Sequence, residues 1–166
     1  MRAGIALGSN VGDPLANLKA ARAEIERIAG AEPPLLASKI YETEPIDCEP
    51  GAASFLNAVV EIGFNAGPAQ LFAELRQIER HLGRPSVHPR NVSRIIDLDL
   101  LYIGDLQLET PELRLPHPRM HERAFVLQPL ADIRPDLVLP HQRQSISELL
   151  ANLGDTSQLV RNAAQW

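Results

Sequence analysis

The sequence predicts an α+β sandwich built on a mostly antiparallel sheet. Two amphipathic helical stripes are separated and flanked by short apolar runs rich in branched residues, in the order β-α-β-β-α-β, so that both helices can cover one face of one sheet. Gly4 to Leu7 is the first short strand, and Gly8-Ser9-Asn10 begins the turn after it. Asp13 is placed to cap the next helix, with Pro14 at its first position. Leu15, Leu18, Ala21, Ile25 and Ile28 share one helical face until Gly30 ends the run. Residues 35–43 read as one strand, followed by a loop through EPIDCEPGAAS; FLNAVVEIGFN, 55–65, is a second strand closed by Gly67-Pro68. Leu71, Leu75, Ile78 and Leu82 mark the second helix, which Gly83 ends. RPSVHPRNVSR, 84–94, is polar and aperiodic, and its 11 residues exceed most connections, which favours function over linkage. RIIDLDLLYIG, 94–104, is the next strand, with a short hairpin partner expected at 106–109 and helical segments near 124–131 and 145–153. The order is the ferredoxin-like βαββαβ pattern, with helices flanking the sheet and extra C-terminal elements.

At 166 residues and 18.3 kDa the length suits one domain, 1–166, with a real core. The net charge of −5 argues against a general nucleic-acid or anionic-membrane binder. Charge is nevertheless uneven: residues 76–123 hold eight Arg, seven acids and four of the five His, for a net of +1. An Arg-rich patch in an acidic chain suggests a local anion site. Cys48 is the only cysteine, so no internal disulfide can form, and no apolar run is long enough to span a bilayer. A cytoplasmic protein and a monomer are the expectations.

Asp97 and Asp99 stand out because the strand around them is otherwise branched and aromatic, and Asp is depleted in strands. Side chains two apart on a strand point the same way, roughly 7 Å from one another. A solvent-facing edge strand or a site for a hard cation would both accommodate the pair. Other motifs are weaker. No G-x-x-x-x-G-K-[ST] loop exists, and the only lysines are Lys19 and Lys39. Gly8-Ser9-Asn10 reads as a structural turn sooner than as a phosphate loop. His117 and His121 have zinc-pair spacing, yet Pro118 interrupts any helix and no third ligand stands out. Arg76 and Arg80 lie one turn apart beside Glu79; Arg84, Arg90 and Arg94 line the long loop into the Asp-bearing strand; Arg119 and Arg123 follow the hairpin. Arginine forks bidentately onto phosphate oxygens, so arginines beside two acids fit Mg²⁺-dependent chemistry on a nucleotide polyphosphate.

From about residue 4 to residue 140 the chain resembles the 6-hydroxymethyl-7,8-dihydropterin pyrophosphokinases of folate biosynthesis. ALGSNVGD (6–13), YETEPI (41–46), FLNAVVEI (55–62) and IERHLGR (78–84) carry the resemblance, with RIIDLDLLYIG (94–104) and LPHPRMHERAFVLQPLADIRPD (115–136) as its most specific parts. It implies transfer of the β,γ-pyrophosphoryl unit of ATP to the pterin hydroxymethyl group, with release of AMP. It also implies that Asp97 and Asp99 bind two Mg²⁺ ions bridging the ATP phosphates, with Arg84 and Arg94 catalytic beside them. The pterin would meet Thr43, Glu44, Pro45 and Ile46 and lie between Phe55 and Phe125, with Asn57 on its edge. Glu79, Arg84, Arg90, Arg94, Leu100, His117 and Arg123 would contact ATP. From the residue pattern alone Phe55 and Phe125 read as core; a flat heterocycle between two rings agrees with stacking physics.

Two departures fall in the 84–94 loop. Asn91-Val92-Ser93 stands where many relatives have Trp-Gly-Pro or Ala-Pro, and Ser86 replaces a basic residue found in some. The loop is expected to be mobile without ligand and to close over both substrates. A non-catalytic pterin- or nucleotide-binding relative is the alternative, against which the retained acids weigh. A purely structural module would leave the Arg and Asp concentration unexplained.

Overall fold

The computed structural model describes residues 1–45, 51–84, 93–154, 156 and 158–166. β1 (Arg2–Ser9) leads to α1 (Pro14–Ile25), whose first turn is capped by Asp13 Oδ1 accepting the Ala16 N–H at 3.0 Å. The stripe expected to run to Ile28 leaves the helix after Ile25. Arg27 and Ile28 instead donate to Glu24 and Ile25, three residues back, and Ile28 stays buried.

The strand expected over 35–43 is two strands, β2 (Ala31–Ala37) and β3 (Ile40–Thr43), both paired with β4 (Phe55–Phe64). Ser38 causes the break. Its N–H donates to Val59 O and its Oγ accepts the Val59 N–H, each at 2.9 Å, so a side chain replaces one rung of the ladder and one residue bulges. α2 (Pro68–His81) follows where the pattern places it, whereas β5 (Asp97–Ile103) begins three residues later than the expected 94–104, because the backbone of Arg94 bonds to Asn10 in the turn after β1 instead of entering the ladder. The hairpin partner expected for β5 is not one. β6 (Leu108–Glu109) pairs with β7 (Arg114–Leu115) in a small separate sheet, because Thr110 Oγ1 and the Leu113 backbone close a tighter local turn. The chain then bonds back to β5 through the His117 N–H and Leu101 O, 2.7 Å apart. A 3₁₀ turn (Met120–Glu122), α3 (Ala124–Ile133) and α4 (Ile146–Asn152) complete the helices, and Ser145 with Glu148 forms a capping box on α4. β8 (Val160–Asn162), absent from the sequence expectation, covers the edge of β3.

The main sheet runs β5-β1-β4-β3-β8, with β2 also on β4, and every pairing is antiparallel. One face buries Ile5, Leu7, Val60 and Leu98 with the stripes of α1 and α2. The other buries Val59 and Leu101 with Leu127, Leu130 and Ile146 from α3 and α4. Among the described residues no helix is long and apolar enough to cross a membrane.

Candidate active site

The sheet register brings residues from four strands to one end of the α3 face. Gly8 faces Asp97 on one side and Asn57 on the other, Ala6 faces Asp99, and Thr43 faces Phe55. Partners across antiparallel strands share a face, as do residues two apart. Asp97, Asp99, Asn57, Phe55 and Thr43 therefore project together. Gly8 keeps the floor between Asn57 and Asp97 open, since a Cβ there would press within 3.3 Å of Asn57 Oδ1. Asn57 Nδ2 donates to Thr43 Oγ1 at 2.8 Å, which aims the amide along the floor.

A charge network surrounds the acids. Glu79 of α2 is only 3% exposed; it accepts from Arg76 Nη1 at 2.6 Å, from Arg84 Nη1 and from the Leu98 N–H at 2.9 Å. The helix thereby grips both the strand backbone and the guanidinium of Arg84. Arg84 Nη1 also donates to Asp97 Oδ1, and Arg94 Nη1 donates to Asp97 Oδ2 at 2.6 Å. Arg123 Nη1 lies 3.6 Å from Asp99 Oδ2. Two of these arginines also reach aromatic rings, Arg94 at 5.8 Å from the Phe55 centroid and Arg123 at 5.7 Å from that of Phe125.

The two acids respond oppositely to these surroundings. Burial would raise Asp97, but Arg94 and Arg84 override it and hold the carboxyl below its usual value. Burial and then the charge of Asp97 push Asp99 up, against the pull of His117 and Arg123. Burial likewise pushes His117 down, outweighing the attraction of Asp99. Asp99 is thus the under-compensated acid, and its side chain is 30% exposed. Two hard oxygen donors on one strand fit a divalent cation that completes its shell with water and phosphate oxygens. Among the described residues no group of three or more His, Cys, Asp or Glu could hold a metal by itself.

A cavity of about 250 Å³ adjoins Asp99. Phe72 and Arg76 of α2, Leu100 of β5, Leu113, Arg114 and His117 help to line it. The expected nucleotide residues Leu100 and His117 are present there; Phe72, Leu113 and Arg114 had no place in the sequence reading. Phe72 and Arg76, four apart with the guanidinium 5.0 Å from the ring, were a legible pair, whereas the short β6–β7 hairpin carries no periodic signal. Glu44 is exposed and takes a 3.3 Å bond from Ser54 Oγ; Pro45 lies beside it. His121 Nε2 lies 3.6 Å from Glu122 Oε1. Ile46, Ser86, Arg90, Asn91 and Val92 lie outside the described residues.

Known proteins resemble this chain over the stretch that carries that site. The family model described as 7,8-dihydro-6-hydroxymethylpterin-pyrophosphokinase (HPPK) matches residues 4–135. A Bacillus subtilis 2-amino-4-hydroxy-6-hydroxymethyldihydropteridine pyrophosphokinase is 44% identical over 129 residues, 78% of this chain and 75% of the relative. The Pseudomonas aeruginosa protein of the same name is 40% identical over 151 residues, covering 89% and 88%. Among solved structures, Plasmodium falciparum HPPK-DHPS (wild type, with pteroate) superimposes with a TM-score of 0.70 at 16% identity. It covers 91% of this chain, which spans 42% of that longer one, and the likeness concerns the fold alone. With the family match and these identities over most of its length, the chain belongs to the 7,8-dihydro-6-hydroxymethylpterin-pyrophosphokinase family.

Proposed function

We propose that this chain transfers pyrophosphate from ATP to 6-hydroxymethyl-7,8-dihydropterin, giving AMP and the pterin diphosphate in folate biosynthesis. The observation that carries the reading is the shared sheet face. A phosphate-competent cluster (Asp97, Asp99, Arg84, Arg94 and Arg123) sits one strand away from an aromatic and amide shelf (Phe55, Asn57 and Thr43) in a member of this family. The hydroxymethyl oxygen would bond the β-phosphorus, the bond from that phosphorus to the oxygen shared with the α-phosphate would break, and the hydroxyl proton would be lost.

Asp97 and Asp99 would hold Mg²⁺, two ions in our reading, which would neutralise the polyphosphate charge when bound. Arg84 and Arg94 now occupy both Asp97 oxygens; we read them as the groups that pass to the phosphates when ATP arrives. Glu79 acts through Arg76 and Arg84, which it holds, sooner than by touching the nucleotide. Phe55 and Phe125 flank the pterin ring, Asn57 reads its edge, and Thr43, Glu44 and Pro45 line its side; Ile46 is assigned to the pterin by resemblance alone. Leu100, His117 and Arg123 face the nucleotide, whose base would enter the cavity against Phe72 and Leu113. Arg90 is assigned to ATP by resemblance alone. The strand order, taking β2 and β3 as one broken strand, supports the ferredoxin-like pattern, and a single-domain, cytoplasmic monomer is the proposed context.

Incubating the protein with ATP, Mg²⁺ and hydroxymethyldihydropterin should yield AMP and pterin diphosphate in equal amounts. Binding of both substrates without AMP release would mark a non-catalytic relative and sink the assignment.

A further inference from the structure

The turn after β1 supplies no group that the proposed reaction uses, yet Ser9 and Asn10 at its start are buried and hydrogen-bonded. Asn10 is 5% exposed. Its Nδ2 donates to Ala53 O and to Ser93 Oγ, each at 3.0 Å, and its Oδ1 accepts the Arg94 N–H at 2.8 Å. Its own N–H donates to Arg94 O at 3.1 Å, so the backbone of Arg94 is held from both sides. Arg94 carries the guanidinium that bonds Asp97, and Ala53 lies two residues before Phe55. Ser9 reinforces the turn by donating to Ile95 O and accepting from Asn17 of α1 at 3.1 Å. One buried amide therefore joins the segment that presents a ring to the segment that presents an arginine. Those segments are some forty residues apart in sequence, with separations of 43 and 84 residues from Asn10 itself.

We propose that Asn10 is a positioning residue that holds the Phe55 shelf and the Arg94 guanidinium in one register, so that acceptor and phosphates meet in reacting geometry. The proposal rests on the pyrophosphoryl-transfer reading above. Its physical basis is that small misplacements far from the reacting atoms cost large factors in rate. A buried amide with every donor used has no alternative partner to relax towards.

Asn10→Ala removes all three side-chain bonds. Asn10→Asp keeps an acceptor for the Arg94 N–H but sets an oxygen against Ala53 O. Kinetics and amide hydrogen exchange, on protein shown to be folded, separate the cases. Asn10→Ala should lower kcat roughly ten- to a hundredfold and speed exchange at both Arg94 and residues 53–56, with the rest of the sheet still protected. Asn10→Asp should raise KM for the pterin more than KM for ATP and speed exchange at 53–56 only; it carries the test if the alanine variant does not fold. Wild-type turnover in Asn10→Ala, exchange loosened evenly over the sheet, or loosening on one side only in that variant would overturn the proposal. If the wild type makes no pterin diphosphate, the reaction assignment fails, and the exchange pattern still decides whether Asn10 couples the two segments.

Discussion

Two clusters of acid and arginine sit on this sheet, and they behave differently. Toward the far end of β4 from the candidate site, Glu61 is 0% exposed and ringed by donors: Arg2 Nε at 2.7 Å, Arg134 Nε at 2.9 Å and Tyr102 Oη at 2.5 Å. The Tyr102 ring reaches it by lying over Gly4, where a Cβ would collide at 2.3 Å. Burial would raise Glu61, but bonds from Tyr102, Arg134 and Arg2 outweigh it and hold the carboxyl below its usual value; burial and Glu61 push the Tyr102 hydroxyl far up. Donors outnumber acids, and the cluster is closed. Around Asp97 and Asp99 two acids stand together, their side chains 23% and 30% exposed, and only Asp97 is fully compensated. The same residue types make a structural tie where the charges balance and, in the function proposed above, a ligand site where one acid is less fully compensated.

The sharpest way to break that contrast is to exchange the expected losses. Asp97→Ala or Asp99→Ala should lower turnover by two to three orders of magnitude, roughly the cost of one lost electrostatic contact in a transition state, while circular dichroism and the unfolding midpoint show folded protein. Near-normal turnover in either would remove the metal-site assignment. Glu61→Ala should do the reverse. We expect a stability loss of about 2–3 kcal/mol, held to the lower side because Arg2 and Arg134 can reach water, with turnover of the folded enzyme within about twofold of wild type. Denaturant unfolding and steady-state kinetics on the same preparation would decide it.

Phe55→Ala and Phe125→Ala come next. Losing a stacked ring should weaken pterin binding roughly tenfold and leave the affinity for an unreactive ATP analogue nearly unchanged; equal losses for both ligands would contradict the aromatic shelf. The smallest effect is a pH dependence of the closed cluster. Because the folded pKa of Glu61 is depressed, its stabilisation is fully present above the unfolded value, about 4.3, and is lost as pH falls through the folded value. The stability gap between wild type and Glu61→Gln should therefore narrow as pH is lowered from 7 toward 3. A gap independent of pH would mean that the carboxylate charge contributes nothing to the tie.

What the residues alone determined was local. Apolar spacing placed α1, α2 and β4, Asp13-Pro14 set a helix start, and the i,i+2 spacing of Asp97 and Asp99 on a branched strand marked the acids as a pair before any partner was known. The resemblance supplied roles for Phe55 and Phe125, which pattern alone assigns to the core. Tertiary structure decided everything that depends on distant partners. Glu61 reads as an ordinary strand acid until Arg2 and Arg134, 59 and 73 residues away, close on it. Ser38 reads as mid-strand until its hydroxyl takes the Val59 N–H and splits the strand, and three residues of β8 hold no periodicity to announce the edge they cover. Asn10 reads as a turn residue until Ala53 and Arg94 arrive on either side of it. Spacing encodes which face a side chain takes, because helix and strand periods are short-range properties of the backbone. Whether that face is then sealed, paired or left open depends on register and burial across the whole sheet, where the electrostatics of an acid are settled by what surrounds it.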